Sequence, residues 1–402
     1  MTVVDRPSGI KGSPVGPDAT DADLLFREAK RRERQRRLRW TGAAVIVIAG
    51  ATTITVATRS TTKSPPPRPR VATARSPVLA VAGAIVVPEH PYAMAVGPGG
   101  TLFVVDSERD QVLRRTSTGQ FQVVAGTGRR GFSGDGSQAV SAKINVDPDS
   151  GIAVAKNGTV YFADTSNARV REVLPDGIIR TVIGGGSRNP TDGVLRARQA
   201  SLRGLSAVAG LAIGPDGNLY VAAGAVYRLE TNGMLRWIVG RQERPTKDFA
   251  GIYANPAIQL DFMSSSRIAF DGKGDLLDAG GGGWGLYERT ASGKLRFVEH
   301  FRGDGFWGSL ASGPDGTVAL VSGGGLSVIH PSGALTDVPV VGLSEALGMG
   351  VDHPNAFIGG DGIAVGQNGV IYVDTNTGNT FTTVSAILSV SPNGTVGVVW
   401  KS

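Results

Sequence analysis

Six short stretches of the chain repeat one pattern, an apolar run, a tight turn carrying glycine and a second apolar run, at residues 95–106, 153–164, 212–223, 269–280, 311–322 and 364–375. A shared glycine falls at Gly100, Gly158, Gly217, Gly274, Gly316 and Gly369, so the spacing is 58, 59, 57, 42 and 53 residues. Pro-Asp-Gly and Asn-Gly turns need positive φ, which glycine adopts without steric cost, and each stretch therefore reads as two antiparallel strands. A second turn of the same kind follows in several units, at Pro175-Asp176-Gly177, Thr231-Asn232-Gly233, Ala291-Ser292-Gly293, Pro331-Ser332-Gly333 and Pro392-Asn393-Gly394. That makes four strands per unit. A lone four-stranded sheet cannot cover both its faces, so units at this period stack on their neighbours. The pattern predicts an all-β fold, a six-bladed β-propeller within residues 78–402, with an apolar stretch at 78–87 expected to add an edge strand that helps close the ring.

Ahead of the repeats the pattern changes. Residues 1–26 are polar and rich in Gly, Pro, Ser, Thr and Asp, too poor in large apolar groups to offset the entropy of ordering, and read as a disordered cytoplasmic tail. Residues 27–39 carry eight Lys or Arg and form a basic juxtamembrane segment. Residues 40–58 hold no charge and include Val45, Ile46, Val47, Ile48 and Ile54, a length that spans a bilayer as a single transmembrane helix. A leader cleaved after Thr55-Val56-Ala57 is the alternative, set against the 39 residues that precede the apolar stretch. Only four Lys or Arg follow within fifteen residues, so the charge bias keeps the N-terminus cytoplasmic and the repeats outside. The basic run then lies against the anionic inner leaflet. Residues 59–77, with Pro65, Pro66, Pro67 and Pro69, form a stiff linker.

Charge and composition narrow the function. The net charge of +7 resides in the first 76 residues, which hold 15 Lys and Arg against 6 Asp and Glu, whereas the remainder holds 26 against 28. Nucleic acid is not an expected partner, because displacing counterions from phosphates needs a cationic surface. The chain has no cysteine, which excludes disulfides, thiolate metal sites and Cys nucleophiles, and its 58 glycines are about twice the usual share of roughly 7%.

Two strings carry a family resemblance. Phe162-Ala163-Asp164-Thr165-Ser166-Asn167-Ala168-Arg169-Val170-Arg171-Glu172-Val173 and the glycine-rich run from Ala125 to Gly136 resemble the NHL repeat, whose pattern runs through a similar Asp-Thr-x-Asn-x-Arg-Val-Arg string. The likeness is strong in the first two units, present in the sixth and faint in the third to fifth. It implies the propeller fold over about three quarters of the chain, and no site common to all blades.

Candidate chemistry concentrates on one face. In a propeller the connections between blades and the turns between second and third strands share a face, and here the connections at 127–150, 184–208, 240–266 and 342–361 are long. Asp106, Asp164 and Asp374 end second strands and would ring that face, either as carboxylates for a cation or polar ligand or as acceptors that close their own turns. Arg169 and Arg171 alternate with Val170, so they share one side of a strand and pair with carboxylates of adjacent blades or contact ligand. Phe132, Trp284, Phe306 and Trp307 sit in or beside glycine-rich turns, as partner contacts, a lid, or core. His90 and His353 share the context acid-His-Pro, and with Asp361 they form a candidate divalent-metal site if the first and sixth blades adjoin. Apart from that metal no cofactor is expected, and no nucleophile motif occurs. The expected function is a membrane-anchored extracytoplasmic recognition or sensor propeller binding a protein, peptide or glycan; the alternative is a metal-assisted lyase or hydrolase.

Overall fold

Six antiparallel sheets follow one another along the chain, each built from four strands that adjoin in chain order. The structure, a computed structural model, describes residues 83–89, 91–190, 194–203, 210–240, 267–279, 285–293, 295–300, 309–322, 325–347, 362–379 and 382–401. The innermost strands are Pro91–Val96, Ile152–Val154, Gly210–Ile213, Arg267–Phe270, Ser309–Ser312 and Ile363–Val365. Each packs against the next and the sixth against the first, so the sheets close a ring of six blades. The shared glycines all adopt positive φ, from 71° to 86°, as the turns between first and second strands require.

The core is divided among the blade interfaces. Six separate apolar clusters each join two neighbouring blades, among them Phe103, Val112, Val160 and Phe162 between blades 1 and 2. A blade thus buries both faces. The second strands Leu102–Asp106, Leu219–Ala222 and Leu276–Ala279 are accordingly buried at every position, where a sheet with one wet face would alternate.

Ring closure differs from the expectation for residues 78–87. Ile85–Val86 does form an edge strand, but it pairs with the fourth strand of its own blade, Ile85 opposite Gln122 and Val86 opposite Phe121. Among the described residues blades 1 and 6 share no strand, and Met94, Leu102 and Val104 pack with Ala364 and Ile387. The same edge arrangement recurs in blade 3, where Leu195–Arg196 pairs with Met234–Leu235, and in reduced form in blade 2, where Gln138 bridges Ile178. Each of these approaching segments runs along the outer edge of its blade before crossing to the innermost strand. It covers N–H and C=O groups that would otherwise present an open edge.

Blade 6 departs from the others in its middle hairpin. Its second and third strands, Ile371–Asn379 and Thr382–Val390, have nine residues each, against four or five elsewhere. Register places Thr375 opposite the level of Asp164, so four further residues extend the hairpin by about 13 Å on the loop-rich face. The helix Leu343–Leu347 packs on the final strand, Val396–Lys401. Among the described residues no helix is long and apolar enough to cross a membrane. The tail, basic segment, span and linker expected at residues 1–77 lie outside the described residues.

Candidate functional site

On the loop-rich face two carboxylates hold the connection from blade 1 to blade 2. Asp164 Oδ1 accepts the Asn145 N–H at 2.7 Å, while Asp110 Oδ1 accepts the next one, Val146 N–H, at 3.2 Å. Consecutive peptide groups are thereby clipped to adjacent blades. Asp110 can serve because it occupies a left-handed turn position, φ 48°, at the end of the blade 1 middle hairpin; Ala168 holds the same position in blade 2, φ 53°. Burial raises the pKa of Asp110 and of Asp164, against the opposing pull of their hydrogen bonds and arginines. Asp147, also raised by burial, accepts from Ser150 Oγ, which in turn lies 2.6 Å from Thr165 Oγ1.

Arg171 is the centre of this arrangement. It is fully buried, and its guanidinium reaches Asp164 Oδ2 at 3.1 Å, Asp135 Oδ1 at 2.9 Å and the Ser133 carbonyl at 3.0 Å. Its partners lie on its own blade and on the incoming connection. A buried guanidinium cannot neutralise itself by losing a proton, so this loop must remain docked to satisfy it. Phe132 then lies over the two arginines, its ring centroid 4.0 Å from Arg169 Cζ and 4.9 Å from Arg171 Cζ, and stays 43% exposed. Arg169 also donates to the Asn167 carbonyl. Arg129 and Arg130 beside Phe132 are exposed, and Arg130 Nε reaches Asp110 Oδ2 at 3.1 Å.

Asp106 and Asp374 play comparable parts in their blades. Asp106 is buried and accepts the Glu89 N–H at 2.8 Å and the Arg109 N–H at 3.3 Å; Asp374 accepts the Gly362 N–H at 3.0 Å. In all three blades the carboxylate tethers the segment that leads into the innermost strand, two residues ahead of it in blade 1, one in blade 6 and seven in blade 2. None of the three lines the axial cavity. Trp284, Phe306, Trp307, His90, His353 and Asp361 lie outside the described residues, and among those described no group of three or more His, Asp or Glu could hold a metal ion.

The axis itself holds a feature that the repeat alignment stopped short of. Met94, Ile152, Leu211, Ile268, Leu310 and Ile363, one from each blade, line a cavity there and are each 8% exposed or less. One residue upstream runs a second ring of Ala93, Gly151, Gly210, Arg267 and Ser309, which lines the same cavity. Extending the six aligned stretches two residues upstream of their shared alanines would have brought these positions into register.

Residues 73–194 match the family model described as Teneurin NHL domain. Teneurin-m of Drosophila melanogaster is 29% identical over 205 residues, 46% of this chain and 7% of the teneurin, and Teneurin-3 of Mus musculus is 32% identical over 174 residues, 39% of this chain and 6% of the teneurin. The chain therefore spans a small fraction of the curated relatives it matches. Among solved structures, a streptogramin B lyase gives a TM-score of 0.48 at 12% identity, covering 79% of this chain and 85% of that one. Virginiamycin B lyase from Staphylococcus aureus gives 0.47 at 15%, covering 77% and 83%.

Proposed function

We propose that this chain, which belongs with the NHL-repeat propellers, is a recognition module: a membrane-anchored extracytoplasmic disc that binds a protein, peptide or glycan partner on its loop-rich face. The observation that carries the reading is the blade 1 to blade 2 connection. A buried charge network fixes its backbone and leaves Phe132 standing out on the arginine pair, and a rigid aromatic beside guanidinium groups is the composition of binding hot spots. Pre-ordering such a loop lowers the entropy lost when a partner docks. The teneurin NHL likeness supports a protein-binding propeller. The anchor at residues 40–58 and the outward orientation rest on the apolar span and the charge bias around it.

The absence of cysteine makes a direct test available. Single variants Arg129→Cys, beside Phe132, and Asp176→Cys, in the turn at the opposite end of the blade 2 strands, are expressed in intact cells and treated with a membrane-impermeant maleimide photocrosslinker. Both positions are exposed, so both are expected to react from outside, and Arg129→Cys alone is expected to crosslink a discrete partner. Reaction only after lysis would overturn the orientation; equal crosslinking from the two ends would overturn the assignment of the binding face.

A further inference from the structure

We infer that the rim between blades 2 and 3 is a docking surface for an anionic lipid bilayer, carried by Arg188, Arg196, Arg198 and Arg203 with Val194 and Trp237. This rests on the reading of residues 40–58 as a membrane anchor, and it leaves the loop-rich face free for its partner. The connection from blade 2 to blade 3 repeats that from blade 1 to blade 2 at an offset of 58 residues: Ala197–Gln199 forms the same short helical turn as Ala139–Ser141. The Ala197 N–H donates to the Gly233 carbonyl as the Ala139 N–H donates to that of Gly177. At this offset Gln138, Val140 and Asn145 give way to Arg196, Arg198 and Arg203. Arg188 stands where Arg130 does, but Ala168 takes the place of Asp110, the carboxylate that pairs with Arg130. The turn thus forms in blade 2 without these arginines, and the fold does not require them. All four are exposed, and among the described residues none of them makes an ion pair.

The fold gathers them on one rim. The Arg188 N–H donates to the Gln199 carbonyl and the Ser201 N–H to the Arg188 carbonyl, which brings Arg188 back beside the turn that holds Arg198. That turn packs on the fourth strand of blade 2, while Leu195–Arg196 edges the fourth strand of blade 3. Trp237 faces blade 2, because its cross-strand partner Tyr227 belongs to the apolar cluster between blades 2 and 3. It stays 40% exposed, and Val194 45%. Guanidinium groups beside an exposed indole and an aliphatic side chain are the chemistry of a membrane surface, where arginine forks onto phosphate and tryptophan settles at head-group level. The rim of a disc is convex, so it suits a flat surface. Charge orients the disc as well: residues 109–203 hold 14 Lys and Arg against 8 Asp and Glu, whereas residues 204–402 hold 12 against 17. An anionic surface attracts the first half and repels the second. The described chain also begins on the rim, with Ile85–Val86 at the outer edge of blade 1, so the preceding residues join the ring beside its basic blades.

The test again uses the absence of cysteine. Gln199→Cys, in the arginine-bearing turn, and Ser332→Cys, in an exposed turn of blade 5 across the ring, each carry a fluorophore on the full-length chain. The chain is reconstituted in nanodiscs of phosphatidylcholine, with or without phosphatidylglycerol, that contain a lipid spin-labelled on its head group. With about 30% phosphatidylglycerol, quenching at residue 199 is expected to exceed that at residue 332 at least about threefold, and to fall to the same level in about 0.5 M salt or in phosphatidylcholine alone. The combined variant Arg188→Gln, Arg196→Gln, Arg198→Gln and Arg203→Gln is expected to lose the excess. If that variant melts early by circular dichroism, the lipid and salt dependence of the parent chain still decides. Equal quenching at the two positions, or quenching at residue 199 that ignores lipid charge, overturns the proposal. So does a discrete protein photocrosslinked from residue 199 in cells without quenching in the discs, which assigns the rim to an acidic protein. A chain that does not stay with the discs refutes the anchor alone. Flotation with vesicles of the same two compositions then decides the rim: flotation that needs phosphatidylglycerol supports it, and none overturns it.

Discussion

A guanidinium with no exposure to solvent is costly unless it is paired, and Arg171 pairs through its two terminal nitrogens with two carboxylates and a carbonyl. Asp164→Ala removes one carboxylate from Arg171 and, at the same stroke, the acceptor of the Asn145 N–H. The expected loss is about 3–5 kcal/mol in urea unfolding, the range for breaking a buried ion pair from one side. By contrast Phe132→Ala, at an exposed cation–π contact, should cost about 0.5–1 kcal/mol. A loss below about 1 kcal/mol for Asp164→Ala would mean that the loop docks by other means. Part of this was legible: the alternation of Arg169, Val170 and Arg171 puts both arginines on one side of a strand. Asp135 as a partner was not, because a carboxylate 36 residues away in sequence meets Arg171 only once the connection has folded back over its blade.

At the level of elements, a sharp constraint lies where the fourth strands of blades 1 and 2 end. Gly126 has φ 98°, and a Cβ built there would stand 2.2 Å from the Asp110 carbonyl oxygen; Gly184 repeats the contact in blade 2, 2.4 Å from the Ala168 carbonyl. Backbone cannot move aside as a side chain can. Gly136, in the same connection, also has positive φ, 83°, but open space around it. Gly136→Ala should therefore cost about 1–2 kcal/mol, the left-handed penalty by itself, and Gly126→Ala clearly more, with thermal melts of the two variants as the measurement. Equal melting temperatures would show that the hairpin end yields. Turn glycines were readable from the Pro-Asp-Gly pattern; the role of Gly126 was not, since it depends on a close approach between two strands. The edge strands beside blades 1 and 3 are two residues long, too short for any periodicity to reveal.

For the whole molecule the decisive joint is the one between the first and last blades, which side-chain packing closes without a shared strand. Ile387 is fully buried there, against Met94, Leu102 and Val104 of blade 1. Ile387→Ala should cost about 2–5 kcal/mol, as large-to-small changes in packed cores do. Because the substitution opens a cavity at this joint, native-state hydrogen exchange should show blades 1 and 6 losing protection first in that variant, and uniform loss across all blades would contradict it. The chain's own order of residues determined the blade count, the four-strand unit and the turn positions, since these rest on local alternation and on turn glycines that recur every 42 to 59 residues. It also marked off the uncharged stretch at 40–58. Tertiary structure alone decided which carboxylate meets which peptide group, how the ring is joined, and which residues of the innermost strands line the axial cavity. Those contacts join positions tens to hundreds of residues apart, and no local pattern carries information about what lies across an interface that does not exist until the blades have packed.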